Sequence, residues 1–129
     1  MAVILVSGSL ALGILVADAL HRDFELRPAT LADTYRAAES VAVPADLATN
    51  QSARVAYQMA IDDAVILCQI ARLGTLDPIP APSALASELD PDDMVLLRES
   101  AAELKKKLQA SRSGLPASAA PSLSSSAPG

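Results

Sequence analysis

Aromatic residues are scarce in this chain of 129 residues. Tryptophan is absent, and Phe24, Tyr35 and Tyr57 are the only aromatic side chains. Few large rings are therefore present to fill a core, so aliphatic and alanine side chains must supply most of it. Small side chains let helices approach closely, which favours a compact domain with helix packing.

Residues that usually carry chemistry are equally scarce. The chain has one cysteine, Cys68, and one histidine, His21, so neither a disulfide within the chain nor a His-based catalytic triad is expected. Glycine-rich phosphate loops, HExxH and GxSxG motifs are missing. The net charge of −5 argues against nucleic acid as a partner. The sequence predicts a protein that is not an enzyme and that uses no metal or cofactor.

The carboxyl-terminal segment differs in composition from the rest of the chain. From Ser111 to Gly129, sixteen of nineteen residues are Ser, Ala, Pro or Gly. Such a segment buries too little apolar surface to offset the entropy lost on ordering, so we expect a disordered tail over 111–129. The remaining residues, 1–110, are predicted to form a single small domain.

The amino-terminal residues allow two interpretations. Leu10, Leu12, Ile14 and Val16 alternate along one face, and Leu20, Phe24 and Leu26 continue the alternation after a short break at 17–19. This pattern predicts a β-hairpin over about 3–27. The alternative is a signal peptide or short membrane anchor, because no charge precedes Asp18. A secretory signal, however, needs a basic start that this chain lacks. We therefore expect retention of this segment and no membrane association.

Residues 52–73 contain no Gly or Pro and predict a long helix that ends at Gly74. Its polar positions form one narrow stripe, so most of its circumference is apolar and must be covered. Asp63 lies opposite that stripe, and we expect it to pair with an arginine at the edge of the packed face. The polar stripe comprises Arg54, Gln58, Asp62, Gln69 and Arg72.

Three other helices are predicted from capping signals and periodicity. Thr30 and Asp33 indicate the start of a helix over 31–40, and a short helix covers about 83–89. Asp90 followed by Pro91 begins a helix over 91–109. The fold class is thus α+β, with an N-terminal hairpin followed by three to four helices.

An apolar seam on the last helix is the predicted contact surface for a partner. Its members recur in alternating steps of three and four residues, which suits packing on one neighbour or coiled-coil pairing. A long apolar helix in so short a chain also favours a homo-oligomer. The seam comprises Met94, Leu97, Ala101, Leu104 and Leu108.

Three stretches resemble tail assembly chaperones of Mu-like phages and related prophages. They are LHRDFELRPATLADTYRAAE, RLGTLDPIP and LDPDDMVLLRESAAELKKKL, and the similarity covers about Leu10 to Leu108. The chain departs from the family where Ala17, Asp18 and Ala19 replace an expected glycine turn. Its first twenty residues are also more apolar than a typical start.

The resemblance implies a non-enzymatic role in virion assembly. Such chaperones bind the helical tape measure protein in the cytoplasm of the bacterial host before the tail tube forms, and they are absent from the mature virion. The tail tube protein is a second candidate partner, and many members also have a longer form made by ribosomal frameshifting. A generic helical oligomeric adaptor and a small exported or membrane-anchored protein are the alternatives.

Overall fold

The computed structural model describes residues 4–116, which form an α+β fold as predicted. An N-terminal hairpin is extended by a third strand into an antiparallel sheet of order β1-β2-β3, and helices pack around it. The elements are β1 (Val6–Val16), β2 (Ala19–Leu26), α1 (Leu31–Ser40), α2 (Gln51–Cys68), β3 (Ile70–Leu73), α3 (Pro82–Glu88) and α4 (Pro91–Ser113). The predicted hairpin start at residue 3 lies outside the described residues, as do residues 117–129 of the predicted tail.

The hairpin closes through a two-residue turn without glycine. Val16 pairs with Ala19, and the intervening Ala17 and Asp18 have φ angles of 51° and 66°. Turns with two left-handed residues match the right-handed twist of the flanking strands. Ala17 and Asp18 therefore adopt the left-handed turn conformation that glycine usually occupies.

A large bulge interrupts β1 and reverses the predicted alternation. Between the pairs Ser9–Asp23 and Ile14–His21, β1 has four residues whereas β2 has only one. Extra residues in one strand change which side chains face the core. Leu12 and Leu20 are therefore exposed, and His21 is buried, contrary to the strict alternation expected from the sequence.

The helix predicted over 52–73 is too long. It spans Gln51–Cys68 in the structure, and residues 70–73 form the third strand of the sheet. Phe24 pairs with Leu73 and Leu26 with Ile70, so both apolar ends of β3 are buried against β2. The free edge of β2 supplies the hydrogen bonds that end the helix, and this tertiary pairing overrides a local sequence free of helix breakers.

The predicted helix starts are correct to within one residue, and α1, α2 and α4 carry capping hydrogen bonds. Thr30 N–H donates to Asp33 Oδ2 at 2.9 Å, and the side chains of Asn50 and Asp90 accept from the first turns of α2 and α4. The predicted helix ends are less accurate. The last helix, α4, continues to Ser113, whereas the sequence predicted an end at residue 109. Residues 111–113, assigned to the tail by composition, are therefore helical.

The core lies between the inner face of the sheet and α4. It is aliphatic apart from one phenylalanine, as the composition predicts. α4 lies against β1, and α1 packs on α2 at the side. The buried cluster comprises Val6, Leu10, Ile14, Phe24, Leu26, Leu67, Ile70, Leu73, Leu85, Met94, Leu97 and Leu104.

Candidate partner-binding groove

The seam predicted as a partner surface is mostly occupied by the protein's own core. Met94, Leu97 and Leu104 are buried, whereas Ala101 and Leu108 are half-buried. α4 lays this seam on β1, so the first residues of the seam hold the last helix to the sheet. Leu97 is only 1% exposed, so a partner cannot reach it while α4 stays in place, whereas Met94 also lines a cleft on the other side of Arg98. At that end the seam mainly stabilises the fold.

The carboxyl-terminal part of the seam opens onto a groove. This α2–α4 groove has a volume of about 400 Å³ and lies between the second halves of α2 and α4. The groove is deep because the α4 side chains at Ala101 and Ala102 are small and leave space between the two helices. The buried Leu104 forms part of its lining. Its apolar lining includes Pro28, Val65, Ile66, Ala101, Leu104 and Leu108.

An ion pair connects α2 to α4 beside this groove. Arg98 donates from Nε to Asp63 Oδ1 at 2.9 Å and from Nη2 to Asp63 Oδ2 at 2.7 Å. The hydrogen bonds to Asp63 raise the pKa of Arg98 above its usual range. Such bidentate geometry fixes the relative position of two helices more firmly than a single contact does. The predicted pairing of Asp63 with an arginine is confirmed.

The Pro28 side of the groove is positioned by a second ion pair. Arg27 Nη2 donates to Asp33 Oδ1 at 2.7 Å and to the carbonyl of Cys68 at 2.9 Å, while Nη1 donates to the carbonyl of Pro28 at 3.0 Å. These bonds join the end of β2 to the start of α1 and the end of α2. Gln69 reinforces the junction, since its side chain donates to the carbonyl of Arg27.

The buried carboxylate of this junction remains charged. The hydrogen bonds from Arg27 hold the pKa of Asp33 below its ordinary value of 3.8, and the N–H of Thr30 acts in the same direction against the opposing effect of burial. Asp33 is only 1% exposed. A charge this deep is tolerated because its oxygens are paired and hydrogen-bonded.

The exposed face of α2 extends the apolar surface beyond the groove. Val55 and Met59 are more than half exposed, at 53% and 56%. Met59 shares an adjoining cleft with Ile66 and Arg98, and these two residues also line the groove. The apolar surface thus continues from the groove along the outside of the long helix, one turn after another.

The predicted polar stripe of the long helix is correct only in its first part. Arg54, Gln58 and Asp62 are exposed on α2, and Gln58 donates to Asp62 at 2.9 Å. Gln69 is buried at the C-cap, and Arg72 lies on β3 beside Glu25. Because the helix ends at Cys68, its 100° periodicity stops there and cannot place the last two residues.

Sequence reasoning missed eight of the eleven residues that line the groove. They are Pro28, Ala29, Val65, Ile66, Gln69, Arg98, Ala102 and Lys105. None of these residues belongs to the seam predicted on the last helix. Ala101 and Ala102 were the available signal, because two adjacent small residues beside a leucine seam indicate a gap in the packing. Which side chains fill that gap depends on where α2 lies, and no local pattern specifies it.

The one histidine and the one cysteine of the chain are both buried in the fold. The buried His21 accepts a hydrogen bond at Nδ1 from the N–H of Thr75 at 3.3 Å, and Cys68 is buried with a free thiol. Within residues 4–116, His, Cys, Asp and Glu form no group of three suited to a metal ion. The α2–α4 groove, in contrast, is lined mostly by apolar side chains.

In the part of the chain that the structure describes, no helix is long and apolar enough to cross a membrane. Comparisons with protein-family models, curated proteins and solved structures find no match to this chain.

Proposed function

We propose that this protein is a non-enzymatic phage tail assembly chaperone that binds a helical segment of the tape measure protein. The observation that carries the proposal is the open apolar groove between α2 and α4. Amphipathic helices bind in grooves of this kind by burying one apolar face. The resemblance of LHRDFELRPATLADTYRAAE and LDPDDMVLLRESAAELKKKL to tail assembly chaperones supplies the identity of the client.

The proposed mechanism is protection by mass action. A tape measure protein carries long apolar helical faces that aggregate before the tail tube surrounds them. A partner that covers such a face lowers the concentration of the exposed form and so keeps the client soluble. The chaperone acts in the host cytoplasm and leaves before the virion is complete. Because it is present when the tail tube forms around the client, we expect it to contact the tail tube protein as well.

Self-association is a further part of the proposal. Val55 and Met59 present an apolar face on α2 that no described element covers, and a second copy could bury it. Sedimentation of the full chain at high micromolar concentration should show a species larger than a monomer. Met59→Glu should shift the distribution toward the monomer, whereas a monomeric unmodified protein at that concentration would contradict this part.

Co-expression with the tape measure protein tests the main proposal. The unmodified chain should keep this client soluble and be recovered with it in a pull-down. Leu108→Glu replaces an apolar side chain at the half-buried end of the groove by a charged one and should reduce recovery, because burying a carboxylate beneath the apolar face of a client is costly. Val43→Glu is the matched control, since Val43 is exposed and lies outside the groove lining.

Circular dichroism of both variants must show an intact fold before the binding result is interpreted. Failure of the unmodified chain to recover the client, with both partners well expressed, would remove the tape measure proposal. A generic helical adaptor would then be the better description, since the groove could still bind a helix of another protein.

A further inference from the structure

The charged side chains that line the α2–α4 groove are both cationic. The chain carries a net charge of −5, yet the charged residues that line this groove are Arg98 and Lys105. No carboxylate among residues 4–116 contributes to the lining. An apolar groove with cationic residues, on an otherwise acidic protein, selects partners by complementary charge.

The two cations differ in their availability to a partner. Arg98 is bound to Asp63 through Nε and Nη2, so its charge is largely compensated within the chain. Lys105 forms no ion pair with another of the described residues, whereas its neighbour Lys107 pairs with Glu103 at 3.5 Å. Lys105 is therefore the groove residue that offers an uncompensated charge to an incoming carboxylate.

The length of the groove suits one short helix. Its lining on α4 runs from Arg98 to Leu108, ten residues apart, which corresponds to about 15 Å along the helix axis. A partner helix of equal length has about three turns and presents apolar side chains at positions i, i+4 and i+7.

We infer that the α2–α4 groove binds an amphipathic helix whose apolar face is flanked by carboxylates on the side that meets Lys105. This inference rests on the proposed function, and it states the chemistry of the client segment. Within a tape measure protein, the recognised segment would be one in which leucines or similar residues at i, i+4 and i+7 are bordered by Asp or Glu.

Synthetic peptides titrated into the full chain test this chemistry without any phage component. One peptide of about four helical turns carries leucines at i, i+4 and i+7 with flanking glutamates, and a second carries lysines at the flanks instead. Fluorescence anisotropy should show tighter binding of the glutamate peptide by about fivefold or more at low salt, with the difference shrinking as salt is added. A third peptide with serines in place of the leucines should not bind.

Lys105→Glu and Lys106→Glu form a matched pair, because both change the net charge equally and only Lys105 lines the groove. Lys105→Glu should weaken binding of the glutamate peptide by about fivefold or more and improve binding of the lysine peptide. Lys106→Glu should leave the order of the two peptides unchanged.

Equal effects of the two variants, or equal binding of both peptides to the unmodified chain, would overturn the inference. Capture of the tape measure protein in the co-expression experiment would still support the proposed function in that case. Conversely, peptide selection by charge without capture of the tape measure protein would retain the groove chemistry and reject that client.

Discussion

The carboxylate of Asp93 accepts a hydrogen bond of 2.9 Å from the backbone N–H of Gly13, on the bulge of β1. The N–H groups of Ala11 and Leu12 donate to the same carboxylate, at 2.7 Å and 3.2 Å. Consecutive N–H groups that converge in this way form a concave site for an anion. Asp93 fills that site from the first turn of α4 and is fully buried, so one side chain attaches the last helix to the first strand.

Asp93→Ala should be strongly destabilising. Three backbone donors lose their shared acceptor, and each donor left unsatisfied costs about 1 kcal/mol, so the loss in the free energy of unfolding should reach up to about 3 kcal/mol. Asp92→Ala in the same helical turn removes an exposed carboxylate and should cost less than about 1 kcal/mol. Urea denaturation followed by circular dichroism measures both, and equal losses would contradict the role assigned to Asp93.

The ion pair of Asp33 with Arg27 should make stability depend on acidity. The folded-state pKa of Asp33 is lowered by the hydrogen bonds from Arg27, so the stabilisation is fully present above the ordinary carboxyl pKa of 3.8. It is lost as the pH falls through the lower folded-state value. Asp33→Asn should therefore lower the urea midpoint at pH 7, with the gap to the unmodified protein narrowing below about pH 4.

Denaturation curves at successively lower pH provide the measurement for Asp33. Asp46→Asn is a suitable control, because Asp46 is exposed and an amide oxygen can still accept its hydrogen bond from Asn50. A gap between Asp33→Asn and the unmodified protein that stays constant from pH 7 to the acid limit of folding would show that the charge of Asp33 is not what stabilises the junction.

Gly74→Ala should destabilise the turn after β3. Gly74 has a φ of +56°, and a Cβ placed there would collide with the ring of His21. The left-handed conformation alone costs an alanine about 1 kcal/mol, and the collision adds to this. Gly114→Ala is the control, because a methyl group added there, at the end of α4, would meet no described atom within 4 Å. Thermal unfolding should show a clear loss for Gly74→Ala only.

Leu97→Ala should lower the free energy of unfolding by about 2–5 kcal/mol, since it leaves a cavity in the packed core. Leu97 is 1% exposed, whereas Val95, two residues earlier on the same helix, is 44% exposed. Val95→Ala should change stability by less than about 0.5 kcal/mol. Similar losses in the two variants would show that α4 does not bury the seam as described.

The candidate site was only partly predictable from the sequence. Periodicity placed Ala101, Leu104 and Leu108 on one side of the last helix, and these three line the groove. It also placed Met94 and Leu97 in the same seam, although both are buried against the chain's own core. The 3.6-residue repeat shows which residues share a face, but the position of the other elements decides what covers that face.

Local sequence by itself determined the fold class and the starts of the helices. Thr30, Asn50 and Asp90 act within one helical turn of themselves, so their capping bonds need no distant partner. Alternating leucines likewise indicated a hairpin, because strand periodicity is a property of neighbouring residues.

Only the tertiary structure decided the bulge, the third strand and the groove. Asp93 bonds to residues about eighty positions earlier in the chain, and it thereby turns Leu12 outward against the local alternation. The β2 edge and the Arg27 side chain similarly end α2 at Cys68, where no helix breaker stands. In each case a long-range hydrogen bond outweighs a local preference worth a fraction of a kcal/mol per residue, and a local pattern cannot encode it.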